Sequence, residues 1–310
     1  MKINNILFVS PLNQEIQNLI ENYELEKKFR YLTEDELRDE DLEWADAFVS
    51  FKTRSSYDYS KVKWVHSLGA GVDSFIFKKD WNEDVILTRT ICSFGQRISE
   101  YCLSYLLKDL QFHDQFLYLK STKNWEPLTP NMLNEVKVMI YGTGEIGQKI
   151  AQVLSFFGVE VYGVSRSGKQ KEFFKEVCTV DAHFSLLNQM NYLINTLPLT
   201  EETEYLFNKD IYKHVSNIGF VNVGRGESIR ESDLLQALEF GQVRFAVLDV
   251  FGEEPLPQGN VLWEHPNVVI TPHISAVTTS SEAVECFVGT LENLEKDNPL
   301  HNRVDVKKGF

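Results

Sequence analysis

The stretch VKVMIYGTGEIGQKIAQVLSFFG (136–158) decides the fold. Its first six residues form a short, nearly continuous apolar run, the pattern of a strand buried on both faces. From 145 to 157 the apolar residues return at helical spacing. Between the two lies GTGEIG (142–147), so a strand turns directly into a helix across a glycine loop. Gly142 permits the tight turn, Gly144 lets a pyrophosphate approach the backbone, and Gly147 lets helix and strand pack closely. The free N–H groups at the helix start offer partial positive charge to phosphates. A lone GxGxxG is a weak signal; this strand-and-helix setting makes it a dinucleotide-binding loop. Its candidate contacts are Gly142, Thr143, Gly144, Glu145, Ile146 and Gly147.

The same rhythm continues outward. Apolar runs recur at VEVYGV (159–164), NYLINTL (191–197), IGFVNV (218–223), VRFAVLDV (243–250) and NVVIT (267–271), with a helical pattern such as SDLLQALEFG (232–241) between them. Six such strands with intervening helices predict an α/β fold, a doubly wound parallel Rossmann sheet over residues 98–277. The first 97 residues read as a smaller, flavodoxin-like α/β unit. Its candidate strands are ILFVS, DAFVSF, KWVHSL and VILTRT, with a helix near 14–28. Long helical patterns at 97–118 and 278–295 join the units. The C-terminal residues then return to the first, giving a discontinuous substrate domain of 1–97 plus 278–310.

Bulk properties exclude several classes. A composition of 43% hydrophobic and 25% charged residues is that of an ordinary globular protein. The net charge of −14 argues against nucleic acid, which needs a basic face to release counterions. It does not argue against a small anion held by a few local cations. Cys92, Cys102, Cys178 and Cys286 are far apart and form no CxxC pair, so neither a disulfide framework nor a metal site follows. The N-terminal apolar run, residues 6–9, is too short for a signal-peptide core. No run approaches the roughly 18 apolar residues of a membrane span. The expected location is cytoplasmic.

The end of the second Rossmann strand indicates the cofactor. An acidic residue about 20 positions beyond the glycine signature normally holds the adenosine ribose of NAD. Here Ser165, 18 residues after Gly147, begins Ser165-Arg166-Ser167, and no acid occurs between 161 and 171. An Asp would repel a 2′-phosphate. A guanidinium flanked by two hydroxyls, with Lys169 and Lys171 behind it, suits phosphate oxygens. An exposed Arg on a solvated turn is the plain alternative. The reading favours NADP(H), with NAD(H) possible.

Three later segments fall at strand ends, where open α/β sheets place ligands. NVGRG contributes Arg225, LDVFGEEPLP contributes Glu254 and ITPHISA contributes His273. Reduction of a 2-oxo acid requires a cation for the carboxylate, a proton for the carbonyl oxygen, and a proton donor that stays charged near neutrality. Arg225 can serve the first need and polarise the carbonyl. His273 can serve the second. Glu254 can serve the third, because a carboxylate hydrogen-bonded to an imidazole favours imidazolium. Each residue alone also fits a structural role; their joint occurrence after three strands is the stronger signal.

With these motifs in place, the sequence resembles the D-isomer-specific 2-hydroxyacid dehydrogenase family, and within it the bacterial NADPH-dependent glyoxylate/hydroxypyruvate reductases. The motifs are GTGEIGQKIA, NTLPLTEETEYLFN, VNVGRGESI, LDVFGEEPLP and NVVITPHISAVT, with HSLGAGVDSF (66–75) and the ending VDVKKGF. The resemblance implies Arg225 as substrate arginine, Glu254 as partner acid and His273 as proton donor. It implies that the N–H groups of Ala70 and Gly71 grip the substrate carboxylate. It places Leu197, Pro198 and Thr203 on the adenine and ribose side, and Val223 and Asp249 near the nicotinamide, although Asp249 also fits a loop cap. Ser99 stands where the family commonly has Ala.

Implied partners are a small 2-oxo or 2-hydroxy acid and a second copy of the chain. The stretch QFLYLKSTKNWEP (115–127) resembles the family's dimer arm, and Trp125 either reaches a neighbour or covers its own domain. A phosphoglycerate dehydrogenase is the second enzyme reading, opposed by Ser-Arg-Ser and the lack of a regulatory extension. A formate dehydrogenase would carry Gln at Glu254. A dinucleotide-sensing regulator of the same fold is the reading from another class.

Overall fold

A computed structural model describes residues 1–52 and 57–309. The chain divides into two compact units, Met1–Phe94 with the stretch from Val277 onward, and Gly95–Ala276.

The first unit is built on five strands, β1 (Asn5–Val9), β2 (Lys28–Leu32), β3 (Ala47–Ser50), β4 (Trp64–Ser67) and β5 (Ile86–Arg89). All pair in parallel in the order β2-β1-β3-β4-β5, the flavodoxin-like arrangement. One face packs against the helices Asn13–Ile20 and Ser280–Glu295, through Ile16, Ile20, Phe287 and Leu291. The other face buries Leu42, Phe75 and Val304. The helix expected over 14–28 is shorter than its pattern. It ends at Ile20, passes through a 3₁₀ turn (Glu21–Tyr23), and stops at Glu24 in the left-handed region with φ 48°. The residues that follow form β2, an edge strand that the sequence reading lacks.

The second unit carries seven parallel strands: β6 (Lys137–Tyr141), β7 (Glu160–Val164), β8 (Glu176–Cys178), β9 (Tyr192–Asn195), β10 (Ile218–Asn222), β11 (Val243–Leu248) and β12 (Val268–Ile270). Their order is β12-β11-β10-β9-β6-β7-β8. The chain therefore winds outward from β6 in both directions, and the switch point falls between β6 and β9, where open sheets bind ligands. Six of the strands match the apolar runs; β8, three residues at an edge, is the addition. The helical pattern over 97–118 is two helices, Phe94–Leu110 and His113–Ser121, broken at Phe112 with φ 56°. Among the described residues, no helix is long and apolar enough to cross a membrane.

The first unit also buries a titratable group. His66 on β4 is fully buried, with Nδ1 2.8 Å from Thr88 Oγ1 and Nε2 3.3 Å from Thr90 Oγ1. Trp64 Nε1 can only donate, and it donates to Thr88 Oγ1 at 2.8 Å. The Thr90 hydroxyl donates to the Ser67 carbonyl at 3.1 Å, so toward Nε2 it accepts, and the neutral ring carries its proton on Nε2. Nδ1 is then the acceptor, and Thr88 donates to it while accepting from Trp64. Burial pushes the His66 pKa down from 6.5 to about 3. Between those values the unfolded chain binds a proton that the folded chain does not, so stability falls as pH drops through that window. His66→Asn should therefore abolish uptake of about one proton on urea unfolding at pH 5 and leave pH 8 unaffected. Equal pH slopes in the two proteins would refute this.

Candidate active site

The switch point is tightly packed. Gly142 follows β6 with φ 98°, and a methyl group there would lie 2.5 Å from Thr196 Oγ1, at the end of β9. A methyl group on Gly147 would lie 1.8 Å from the Gly142 carbonyl oxygen, so the helix Glu145–Phe156 rests directly on the loop. Gly144 differs. It caps that helix without a side-chain hydrogen bond, and an added methyl group would meet nothing within 4 Å. Close packing explains Gly142 and Gly147 but not Gly144, whose bare backbone faces open space beside the helix N-terminus. Thr143 is buried beside Gly163, whereas Glu145 is exposed and Ile146 half-buried.

The loop after β7 carries a second mark of a ligand. Ser165 N donates to the Cys178 carbonyl at 3.0 Å, which fixes the turn, but its buried Oγ has no hydrogen-bond partner. An unpaired buried hydroxyl is costly and rare. Arg166, Ser167 and Lys169 are exposed beyond it, and Ser167 Oγ accepts the Lys169 N–H at 3.3 Å. An open glycine cradle, an uncapped helix end and an orphaned hydroxyl fit a dinucleotide with its pyrophosphate at Gly144 and its ribose at Ser165. After β9, Leu197 and Pro198 are half-buried, and Thr203 Oγ1 donates to the Pro198 carbonyl at 2.7 Å, stabilising that loop. Val223 is buried, its N–H bonded to the Asn195 carbonyl at 3.0 Å.

Arg225 follows β10 and is held from below by a polar cluster absent from the sequence reading. Asn195 and Asn222 are fully buried at adjacent strand ends and joined by a 2.8 Å hydrogen bond. Asn222 Nδ2 donates to the Arg225 carbonyl at 3.0 Å, and Ser228 Oγ donates to it at 2.6 Å. Arg225 Nη1 donates to the Gly224 carbonyl at 2.7 Å, which orients the guanidinium. Gly226 is required because a methyl group there would fall 1.8 Å from the Phe251 carbonyl carbon.

His273 and Glu254 meet as the pattern demands, with Nδ1 2.8 Å from Oε2. The other Glu254 oxygen accepts the Phe251 N–H at 2.9 Å. Burial raises the Glu254 pKa, but the hydrogen bonds from His273 and Phe251, with the charges of His273 and Arg225, outweigh it and hold the carboxyl below its usual range. Among the described residues, His273 Nε2 has no hydrogen-bond partner, so one ring nitrogen is anchored and the other is available. Asp249, expected near the nicotinamide or as a loop cap, is fully buried at the end of β11. Its Oδ1 accepts from Thr271 Oγ1 and the Ile274 N–H, and its Oδ2 from the Ser275 N–H. Both oxygens serve the turn that carries His273.

Within the first unit, the turn holding Ala70 and Gly71 faces its carbonyls inward. Ser67 Oγ donates to the Gly69 and Gly71 carbonyls at 3.1 and 2.9 Å, and Arg89 Nη1 donates to that of Ala70 at 3.3 Å. Among the described residues, no acceptor meets the N–H of Ala70 or Gly71. Such a turn offers paired donors to an anion.

Comparison with known proteins finds the same architecture. Residues 103–275 match the family described as D-isomer specific 2-hydroxyacid dehydrogenase, NAD binding domain. A glyoxylate/hydroxypyruvate reductase A from Serratia proteamaculans is 35% identical over 257 residues, covering 81% of this chain and 82% of its own. The crystal structure of a D-isomer specific 2-hydroxyacid dehydrogenase from Xanthobacter autotrophicus, in complex with NADPH and MES, superposes with a TM-score of 0.89 at 28% identity, covering all of both chains. An NADPH-dependent glyoxylate/hydroxypyruvate reductase from Sinorhizobium meliloti, in complex with NADP and sulfate, gives 0.88 at 28% identity over 99% of this chain and 100% of its own.

Proposed function

Since the chain belongs to the D-isomer specific 2-hydroxyacid dehydrogenase family and is an NAD(P)-dependent oxidoreductase, we propose that it reduces a small 2-oxo acid of the glyoxylate or hydroxypyruvate class to the D-2-hydroxy acid, using NADPH. The observation that carries this reading is the 2.8 Å contact between His273 Nδ1 and Glu254 Oε2, which leaves Nε2 available. A bound NADPH supplies the hydride. Arg225 binds the substrate carboxylate and polarises the carbonyl, drawing electron density toward the oxygen. His273 delivers the proton to that oxygen from Nε2, and Glu254 stabilises the imidazolium until it does so. The N–H pair of Ala70 and Gly71 is a set of donors for an anion that adds no charge.

The preference for NADPH rests on Ser165, Arg166 and Ser167, and it is supported by the NADPH and NADP held by the Xanthobacter and Sinorhizobium proteins. A second copy of the chain as partner is supported by the exposed apolar side chains within 116–125. There Leu117, Tyr118 and Trp125 are 62%, 66% and 97% exposed, a patch of the kind that marks an interface. A cytoplasmic location is part of the same reading, in keeping with four free cysteines.

Steady-state rates with NADPH and NADH, using glyoxylate, hydroxypyruvate and pyruvate, test the cofactor and substrate together. Arg166→Ala should lower kcat/KM for NADPH about 10- to 100-fold, the worth of a charge-assisted hydrogen bond, and leave NADH nearly unchanged. An equal loss with both cofactors would remove the 2′-phosphate argument. Glu254→Gln should lower kcat about ten-fold or more, because the imidazolium loses its counter-charge. An unchanged kcat would separate Glu254 from the proton transfer. Light scattering should give twice the chain mass, and Trp125→Glu should shift the protein toward monomer; a wild-type monomer at micromolar concentration would dispose of the dimer.

A further inference from the structure

The residue proposed to move the proton sits in a backbone conformation that side chains other than glycine rarely adopt. His273 has φ 55°. Such a conformation persists only where the surroundings over-determine it. Here the determinant is Asp249. Its main-chain carbonyl accepts the His273 N–H at 2.8 Å, Oδ1 accepts the Ile274 N–H at 2.8 Å, and Oδ2 accepts the Ser275 N–H at 2.9 Å. Three consecutive N–H groups therefore converge on one buried residue. The turn is gripped from behind, while the His273 side chain remains 48% exposed.

The grip has a further support. Thr271 Oγ1 lies 2.6 Å from Asp249 Oδ1 and 2.7 Å from the hydroxyl of Tyr101. A carboxylate can only accept, so the single Thr271 hydroxyl proton points to Asp249. Toward Tyr101, Thr271 then has only acceptor capacity, and Tyr101 must be the donor. The chain runs in one direction, from Tyr101 O–H to Thr271 Oγ1 to the Asp249 carboxylate. Tyr101 belongs to the helix Phe94–Leu110, is half-buried, and packs edge-on against Tyr105 with centroids 4.9 Å apart. Burial pushes its phenol above the usual range, against the opposing hydrogen bond to Thr271 and with help from the Asp249 charge, so the hydroxyl retains the proton it donates.

We propose that Tyr101 and Thr271 are positioning residues for His273, acting through Asp249 to set the turn at 271–275 and with it the direction of the imidazole. Neither is a catalytic residue, since their hydroxyls are spent on each other and on Asp249. The inference rests on the reading of His273 as proton donor. Loss of either hydroxyl leaves Asp249 with two N–H donors instead of a complete set, or leaves Thr271 free to rotate away from it. The imidazole then samples directions other than the productive one. Small errors in the placement of a reacting group weigh heavily on rate and lightly on binding of the remote cofactor.

The test uses the purified full chain with Tyr101→Phe, Thr271→Val, their double variant, Thr271→Ser and His273→Gln. Reduction of glyoxylate and hydroxypyruvate is measured, NADPH binding is titrated by its fluorescence, and folding is followed by thermal unfolding. Tyr101→Phe and Thr271→Val should each lower kcat about ten-fold, and the double variant should be no worse than Thr271→Val, because the two break one chain. Kd for NADPH should stay within about two-fold, and Thr271→Ser, which keeps the hydroxyl, should retain nearly the wild-type kcat. Full kcat in Tyr101→Phe beside a lost kcat in His273→Gln would overturn the proposal alone. It would also be overturned if kcat fell in step with melting temperature and cofactor binding in every variant, Thr271→Ser included. Full activity in His273→Gln would overturn instead the reading beneath it.

Discussion

One buried hydrogen bond, Asn195 Nδ2 to Asn222 Oδ1 at 2.8 Å, ties together the loops from which the site is assembled. Where parallel strands end, the chain leaves the sheet and its N–H and C=O groups lose their ladder partners, yet they remain buried and must be paired. The two asparagines supply the missing partners. Asn195 Oδ1 accepts the Leu197 N–H at 3.0 Å, and Asn222 Oδ1 accepts that of Gly224 at 3.1 Å. The loop after β9 and the loop that carries Arg225 are thereby fixed to each other. Leaving any member of the cluster unpaired would cost about 1–3 kcal/mol, so the arrangement is all or none.

A division of labour follows between buried and exposed polar groups. Asn195, Asn222, Ser228 and Asp249 are fully buried and spend their hydrogen bonds on backbone, on each other and, for Asp249, on Thr271. Glu254 and His273 keep 36% and 48% of their side chains exposed. The first set loses its freedom so that the second can face solvent in a fixed direction. His273 combines both demands, with a left-handed backbone gripped from inside and an imidazole anchored through one nitrogen only.

Legibility in the sequence follows the same division. The runs that became β6, β9 and β10 are apolar on both faces because both faces are buried, and that pattern survives without any tertiary information. The strands β2 and β8 lie at sheet edges. KFRYL alternates charge with aromatic residues, and EVC is too short for any period to show. The helix break at Phe112 carries no glycine or proline to announce it. Arg225, Glu254 and His273 are legible because their residue types carry chemistry and they fall after strands. Asn195, Asn222, Ser228, Thr271 and Tyr101 are not. Small polar residues at strand ends read as ordinary loop, and the partner of Thr271 lies 170 residues away in the chain.

The net charge of −14 is at odds with the proposed site for two anions. It is reconciled by range. At physiological ionic strength, exposed charges further apart than about 8 Å are largely screened, so recognition of a small anion is decided by the groups that touch it. Several of those proposed here contribute nothing to the formal charge: the N–H groups of Ala70 and Gly71, and the uncapped start of the helix Glu145–Phe156. In their proposed roles, Arg166 and Arg225 supply one local cation to each ligand. A polyanion such as nucleic acid spreads its phosphates over a length that demands a continuous basic face. A 2-oxo acid or a single 2′-phosphate needs only one well-placed guanidinium. The acidity of the chain thus disfavours an extended polyanion and is compatible with the proposed site for small anions.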